Sequence, residues 1–349
     1  MRVDLFDFSL PEELIATHPA SPRDSARLLH VDESAFHDLQ VRDVTSLLRA
    51  GDVMVFNNTK VIPARLFGRR GTAKIEILLH KEIIPTRWQV FARPAKRLSV
   101  GDSLFIADDF TATVIEKLDN GQVILQFNTA DQSEFYMRLM AYGDMPLPPY
   151  IKRPTRALPS DVRDYQTVYA EHEGSVAAPT AGLHFTTQLL QNIAAMGVHI
   201  AYVTLHVGGG TFLPVKADDT LAHVMHSEWG EITSDTAAMI NAARQAGGRV
   251  IAVGTTSMRL LESAADEQGN LGAYLDETAI FITPGYHFKM VDCLMTNFHL
   301  PKSTLFMLVS AFSGLARMKA AYAHAMKHCY RFYSYGDASF LERIEGDLP

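Results

Sequence analysis

The sequence predicts an α/β protein in which a larger layered α/β portion carries a smaller inserted all-β module, a barrel or small sandwich. Three observations predict it. Between about residues 66 and 130 the apolar pattern has period two; after residue 185 it has period 3.6, broken by short β-branched runs that end in glycine. The length of 349 residues also exceeds the usual size of one domain. On this reading the core domain is discontinuous, residues 1–65 and 150–349, and the insert covers 66–149.

Each element has its own signal. VRDVTSLLRAGD reads as a short helix ended near Gly51, and VMVFNN as a buried strand with a polar end. KIEILLH, RWQVFARP, DSLFIAD, TATVIEKLD and GQVILQFN are short runs at roughly ten-residue spacing, separated by turn signals such as Asp119-Asn120-Gly121. Leu189, Leu190, Ile193 and Met196 share one helical face, opened by Thr186 or Thr187 and stopped by Gly197. VHIAYVTLHV is apolar in both alternating sets, as a strand covered on both faces should be. TAAMINAARQAGG, RVIAVG and TTSMRLLESAA repeat the helix–strand–helix grammar, and STLFMLVSAFSG and ARMKAAYAHAMKH close the chain as helices.

Composition excludes several classes. With 47% apolar and 20% charged residues the chain is globular, not disordered. MRVDLFDFSLPEEL lacks the basic and apolar regions of a secretory signal, and no run approaches a membrane span. Cys293 and Cys329 form no CxxC pair, so a cytoplasmic setting is expected. The net charge of −7 hides basic segments: from Lys60 to Arg97 ten basic residues face two acidic ones, and Lys152, Arg153, Arg156 and Arg163 form a second cluster. A third runs through Arg317, Lys319, Lys327 and Arg331.

In layered α/β proteins ligands collect at the carboxyl ends of strands. Asn57-Asn58-Thr59, His206-Val207-Gly208-Gly209-Gly210-Thr211 and Gly254-Thr255-Thr256-Ser257 fall there. None matches a dinucleotide fingerprint or a GK[ST] phosphate loop. The stretch YQTVYAEHEGSVAAPTAGLHF is too rich in small residues for a regular element, and its Glu171-His172-Glu173 step suits proton transfer. Around two prolines, THPASPRDSARLL sets Arg23 to meet an anion, or forms a surface pair between Arg23 and Asp24 or between Asp24 and Arg27. His184, His206, His226, His287 and His299 lack metal-ligand spacing except at His223-xx-His226, which reads as one face of a turn or short helix, so no metal is expected.

Taken together, LFDFSLPEELIATHPASPRDSARLL, GDVMVFNNTKVIPARLFGRR, MPLPPYIKR, YQTVYAEHEGSVAAPTAGLHFT, LHVGGGTFLPV, HSEWGEI, RVIAVGTTSMRLLES, ITPGYHFKMVDCLMTNFHLPKSTLFMLVSAF and YRFYSYGDASFL resemble the S-adenosylmethionine:tRNA ribosyltransferase-isomerase family of queuosine biosynthesis along essentially the whole chain. The resemblance implies transfer of the ribosyl part of S-adenosylmethionine onto 7-aminomethyl-7-deazaguanine (preQ1) at the tRNA wobble position. Epoxyqueuosine-tRNA, adenine and methionine result, no metal takes part, and the fold implied is a larger layered α/β domain with a smaller inserted all-β barrel domain. It also implies a base that removes a C5′ proton made acidic by the sulfonium, after which adenine leaves, the amine attacks C1′ and epoxide closure displaces methionine. His172 or His206 is the expected base, with Glu173 or Glu228 assisting.

Expected cosubstrate contacts are Ala178, Pro179, Thr180 and Gly182; Gly208, Gly209, Gly210 and Thr211; Gly254, Thr255 and Thr256; and Asn297 within Thr296-Asn297-Phe298-His299, with Tyr335-Gly336-Asp337 as a further candidate. Phe185, Phe212 or Tyr286 is expected to stack on a purine ring. Arg65, Arg69, Arg70, Arg93, Lys96, Arg97, Lys152 and Arg153 are the expected tRNA contacts, and a monomer is expected. Two other classes compete. An RNA methyltransferase would share the cosubstrate, but its acidic glycine-rich loop is absent; a non-catalytic RNA-binding protein leaves the polar α/β loops without purpose.

Overall fold

A computed structural model describes residues 1–118, 121–153, 156–212 and 217–344, with the backbone alone at 211 and 212. Asp119 and Asn120 of the expected turn lie outside the described residues. A hairpin of β1 (Arg27–Val31) and β2 (Phe36–Gln40) leads through a 3-10 helix, Val41–Leu47, to β3 (Val53–Asn57) and β4 (Thr59–Val61). The segment expected as a short helix is a helix of the tighter 3-10 kind, and it leaves its helical path at Leu48, before Gly51.

The chain next forms β5 (Arg65–Arg70), β6 (Ala73–Ile84), β7 (Arg87–Arg93), β8 (Ser103–Ala107), β9 (Phe110–Lys117) and β10 (Gln122–Phe127), which close into a barrel in the order β10-β7-β6-β5-β8-β9. Alternation sends Leu66, Ile77, Leu79, Val90, Leu104 and Leu125 inward. The following helix α1 (Gln132–Tyr142) is absent from the sequence reading because exposed Met137 and Met140 blur its apolar face. Asp131 caps it, and Phe135 and Leu139, one turn apart, join the barrel core; the Phe135 ring centroid lies 4.9 Å from that of Phe127. Entry and exit of the insert are tied together, since Arg65 N donates to Asp144 O at 3.1 Å and Asp144 N to Arg65 O at 2.7 Å.

Beyond the barrel come α2 (Pro159–Asp164), β11 (His172–Ser175), α3 (Thr187–Ala195), β12 (His199–Leu205), β13 (Glu228–Ile232), α4 (Ser234–Gln245), β14 (Val250–Val253), α5 (Thr255–Ala264), β15 (Tyr274–Thr278), β16 (Cys293–Asn297), α6 (Thr304–Ser313), α7 (Leu315–Lys327) and β17 (Ala338–Glu342). Nine strands make one sheet, β15-β13-β12-β3-β14-β16-β17-β1-β2, whose centre β12-β3-β14-β16 is parallel. One face packs Val55, Ala252 and Leu294 under α4 to α7; the other packs Phe56, Val253 and Met295 under α3. Burial on both faces explains the unbroken apolar runs of β3 and β14. Thr186 caps α3 by accepting from Leu189 N. Among the described residues no helix is long and apolar enough to cross a membrane.

Candidate active site at the carboxyl edge of the sheet

The four central parallel strands end at Asn57, Leu205, Val253 and Asn297, so the motifs read from the sequence meet at one edge. Asn57 fastens the edge together: its Nδ2 donates to Leu205 O (3.0 Å), while its Oδ1 accepts from Leu205 N (3.0 Å) and Thr59 N (3.1 Å). Asn58 accepts from Thr204 Oγ1 (2.7 Å) and donates to Glu171 (3.2 Å). The stretch 172–175, read as irregular, is the strand β11 paired parallel to β4, with its register shifted between Glu173 and Ser175. Asn58 O makes that pairing possible by accepting from Glu171 N at 2.8 Å.

His206 sits inside this frame. Its Nδ1 is 2.7 Å from Thr59 Oγ1, and its ring stacks on Trp229 at a centroid distance of 5.0 Å. Gly174, with φ of 146°, lets β11 pass over the imidazole; a Cβ there would fall 2.8 Å from Nε2. Burial, reinforced by the neighbouring His172, pushes His206 down to about 4, so the ring is neutral near pH 7. His172 is half-exposed, 3.8 Å from the Glu171 carboxylate, and Glu173 is held by Lys60 at 2.8 Å.

The glycine turn after β12 is where the barrel docks. Gly208 faces His80 of β6, 2.8 Å from where its Cβ would be, and Gly209 faces Leu78 at 3.3 Å. Lys81 extends the seam to Glu277 (2.6 Å). Gly210 lies against His226, which follows no helical turn with His223: the 3-10 helix Thr220–Ala222 ends first, and His223 packs on Phe281. Glu228 accepts from Gly208 N (3.2 Å) and from Arg259 Nη1 (2.5 Å), an ion pair with both side chains buried. The Nη2 of Arg259 is buried without a hydrogen-bond partner among the described residues. The backbone of Thr211 and Phe212 belongs to a 3-10 turn, Gly209–Phe212; their side chains lie outside the described residues.

A second wall is the 3-10 helix Thr180–His184 with the preceding Ala178 and Pro179. Thr180 Oγ1 donates to Asn297 Oδ1 (2.9 Å), and Asn297 Nδ2 donates to His184 Nε2 (3.2 Å) and Tyr333 O (3.1 Å), so Asn297 is spent on holding the wall. Thr167 Oγ1, Tyr169 Oη and Tyr335 Oη are buried with no partner among the described residues. Gly182 sits so close to Tyr169 that a Cβ would be 2.0 Å from its hydroxyl. We predict that Gly182→Ala costs about 1–3 kcal/mol of unfolding free energy through overpacking, in part restored by adding Tyr169→Phe, as read by urea unfolding. Gly254 opens α5, whose Thr256 Oγ1 lies 3.4 Å from Asn57 Nδ2.

Other expectations land elsewhere. Phe185 is fully buried against Phe56 in the α3-side core, and Tyr286 donates to Glu262, which also accepts from Lys289, Met290 and Val291 N. Arg23 pairs with neither Asp24 nor an acid of its own loop: it donates to Gln166 O and Arg163 O, both at 2.7 Å. Arg153 is in a buried ion pair with Asp161 (2.7 Å), Arg70 pairs with Asp102 (2.6 Å), and Arg65 donates to Leu147 O (2.9 Å). Exposed on the barrel are Arg69, Arg93, Lys96 and Arg97; Lys152 is exposed near Glu12 (3.5 Å). Away from the edge, the hairpin brings ligand atoms of His30, Asp32 and His37 within 4.8 Å of one another, a grouping that spacing alone did not single out.

Three buried histidines, His80, His184 and His299, and the half-buried His206 give a pH prediction. Burial lowers His80 and His206 to about 4 and His184 and His299 to about 3. The unfolded chain therefore binds protons that the native one refuses, so stability is full above about pH 6.5 and falls as pH drops toward 4. Urea midpoints across that window should fall steadily; a flat profile contradicts the burial.

Residues 3–341 match the family model described as queuosine biosynthesis protein. A Rhodospirillum rubrum protein named S-adenosylmethionine:tRNA ribosyltransferase-isomerase is 58% identical over 345 residues, covering 99% of each chain. One of the same name from Mesorhizobium japonicum is 57% identical over 362 aligned positions, again at 99% of each. The crystal structure of an S-adenosylmethionine tRNA ribosyltransferase from Thermotoga maritima aligns with 97% of this chain and 99% of its own, at 34% identity and a TM-score of 0.55.

Proposed function

Because this chain belongs to the queuosine biosynthesis protein family, we infer that its carboxyl-edge site carries out the family's reaction. The protein is an S-adenosylmethionine:tRNA ribosyltransferase-isomerase that moves and isomerises the ribosyl group of S-adenosylmethionine onto preQ1 in tRNA, releasing adenine and methionine. In this reading it acts on the wobble position, in the cytoplasm, as a monomer and without a metal.

The observation that carries the site assignment is a neutral, half-buried His206 two residues before Gly208, whose N–H is held by the same Glu228 that pairs with a buried Arg259, the Nη2 of which has no partner among the described residues. His206, oriented through Nδ1 by Thr59, removes the C5′ proton with Nε2. Arg259 takes the methionyl carboxylate, and Glu228 positions it while holding Gly208 N–H. The unpartnered hydroxyls of Thr167, Tyr169 and Tyr335 fit a polar ligand, and the Ala178–Gly182 wall, the glycine turn and the opening of α5 frame it. His172 and Glu173 line the open side, toward the incoming nucleotide, and the exposed barrel arginines meet tRNA phosphates.

The test is incubation with S-adenosylmethionine and preQ1-bearing tRNA, followed by chromatography. Adenine and methionine should appear in step with a mass gain on the tRNA. S-adenosylhomocysteine would mean methyl transfer instead, and tRNA binding without turnover would mean a binding protein.

A further inference from the structure

The outer face of β6 joins the docking seam to a second feature. Leu78 and His80 point outward onto Gly209 and Gly208, and on the same face Lys74 and Glu76 line an open basin of about 590 Å³. Glu76 is four residues from His80, roughly 13 Å along an extended strand. Around the basin stand Arg69, Lys74 and Arg93, all exposed, and the half-buried rings of Phe67 and Phe105. The Arg69 guanidinium lies 4.5 Å from the Phe105 centroid and that of Arg156 lies 5.5 Å from Phe67. Glu76, the one acid lining the basin among the described residues, is 3.5 Å from Arg65 Nε.

We propose that this basin is a nucleotide subsite: it takes an unstacked base and its phosphate from the single-stranded part of the tRNA that flanks the nucleotide being modified. The proposal rests on the tRNA-modifying reading above. Its size falls within the range of small-ligand sites. Three lining cations stand with two aromatic rings that already carry the Arg69 and Arg156 guanidinium planes, the combination of stacking surface and charge that single strands use, because bases stack on guanidinium planes as well as on rings and every nucleotide brings a phosphate. An acidic peptide would use the cations and leave the rings idle. Duplex RNA keeps its bases stacked away from them. A position roughly 13 Å from the seam lets a strand whose modified base enters the carboxyl-edge site pass over the basin.

Equilibrium filter binding of tRNA to the full-length protein tests this without turnover, so failure of ribosyl transfer, which adenine release reports, is separate from failure of the basin. Phe67→Leu and Phe105→Leu should each weaken binding about tenfold while leaving its salt dependence unchanged, since stacking and not charge is lost. Arg93→Gln should lower the salt slope by about one. A dissociation constant within about twofold of wild type in both phenylalanine variants, with wild-type melting curves, overturns the proposal. Equal competition by duplex RNA or by polyglutamate also overturns it.

Discussion

His206→Ala lowers kcat by about 10² to 10⁴, the usual span of a lost general base, while the protein keeps its fold. The loss follows from the frame around the ring. Thr59 fixes one nitrogen, Trp229 supports one face, and burial keeps the ring uncharged at neutral pH. Thr59→Val, which removes the hydroxyl but keeps the shape, should lower kcat by a smaller factor with the cosubstrate KM unchanged, since Thr59 acts through His206. The pH profile discriminates further. With His206 as base, the acid limb of kcat/KM for the free enzyme lies near pH 4; a limb near 6.5, the ordinary imidazole value, removes His206 from the role. Wild-type rates in His206→Ala alongside loss in His172→Ala would move the base to His172.

Glu228→Gln is expected to cost about 3–5 kcal/mol of stability, because it leaves the buried Arg259 cation without its counter-charge. The urea midpoint measures it. Replacing both partners, Glu228→Leu with Arg259→Met, should recover most of that stability, since an apolar pair of similar volume spares the desolvation of two charges. Activity should not recover. Loss of the Arg259 contact raises the KM for S-adenosylmethionine by about tenfold to a hundredfold, the worth of one hydrogen bond to a charged group. A double variant with both stability and KM restored would remove Arg259 from the site.

Much of the architecture is legible in the sequence because burial imposes a period. β6, β7, β9 and β10 alternate with one face inside a barrel, and α3 shows its apolar stripe between Thr186 and Gly197. Elements failed to announce themselves where neighbours rather than local pattern make them. β11 is a strand because Asn58 and β4 offer it an edge, and α1 is hidden by methionines that stay exposed. The site followed the same rule. Its glycines, Thr59 and His206 stand out as residue types at strand ends, but Trp229 and Arg259 acquire their proposed roles through partners distant in sequence. Arg259 left one faint trace: with Thr255, Ser257 and Glu262 it puts four polar side chains on a helical stretch that is buried nearly throughout.

The double bridge between Arg65 and Asp144 has a consequence for how the insert can be handled. A module whose two ends are already hydrogen-bonded neighbours can be cut out at the gene level by joining Ala64 to Met145 through a short turn, with no strand of the nine-stranded sheet removed. The shortened chain would retain the carboxyl edge but lose His80 and Leu78 from above the glycine turn. Whatever S-adenosylmethionine affinity survives that excision belongs to the core alone, so the division of labour between the two parts becomes a subtraction done with one deletion.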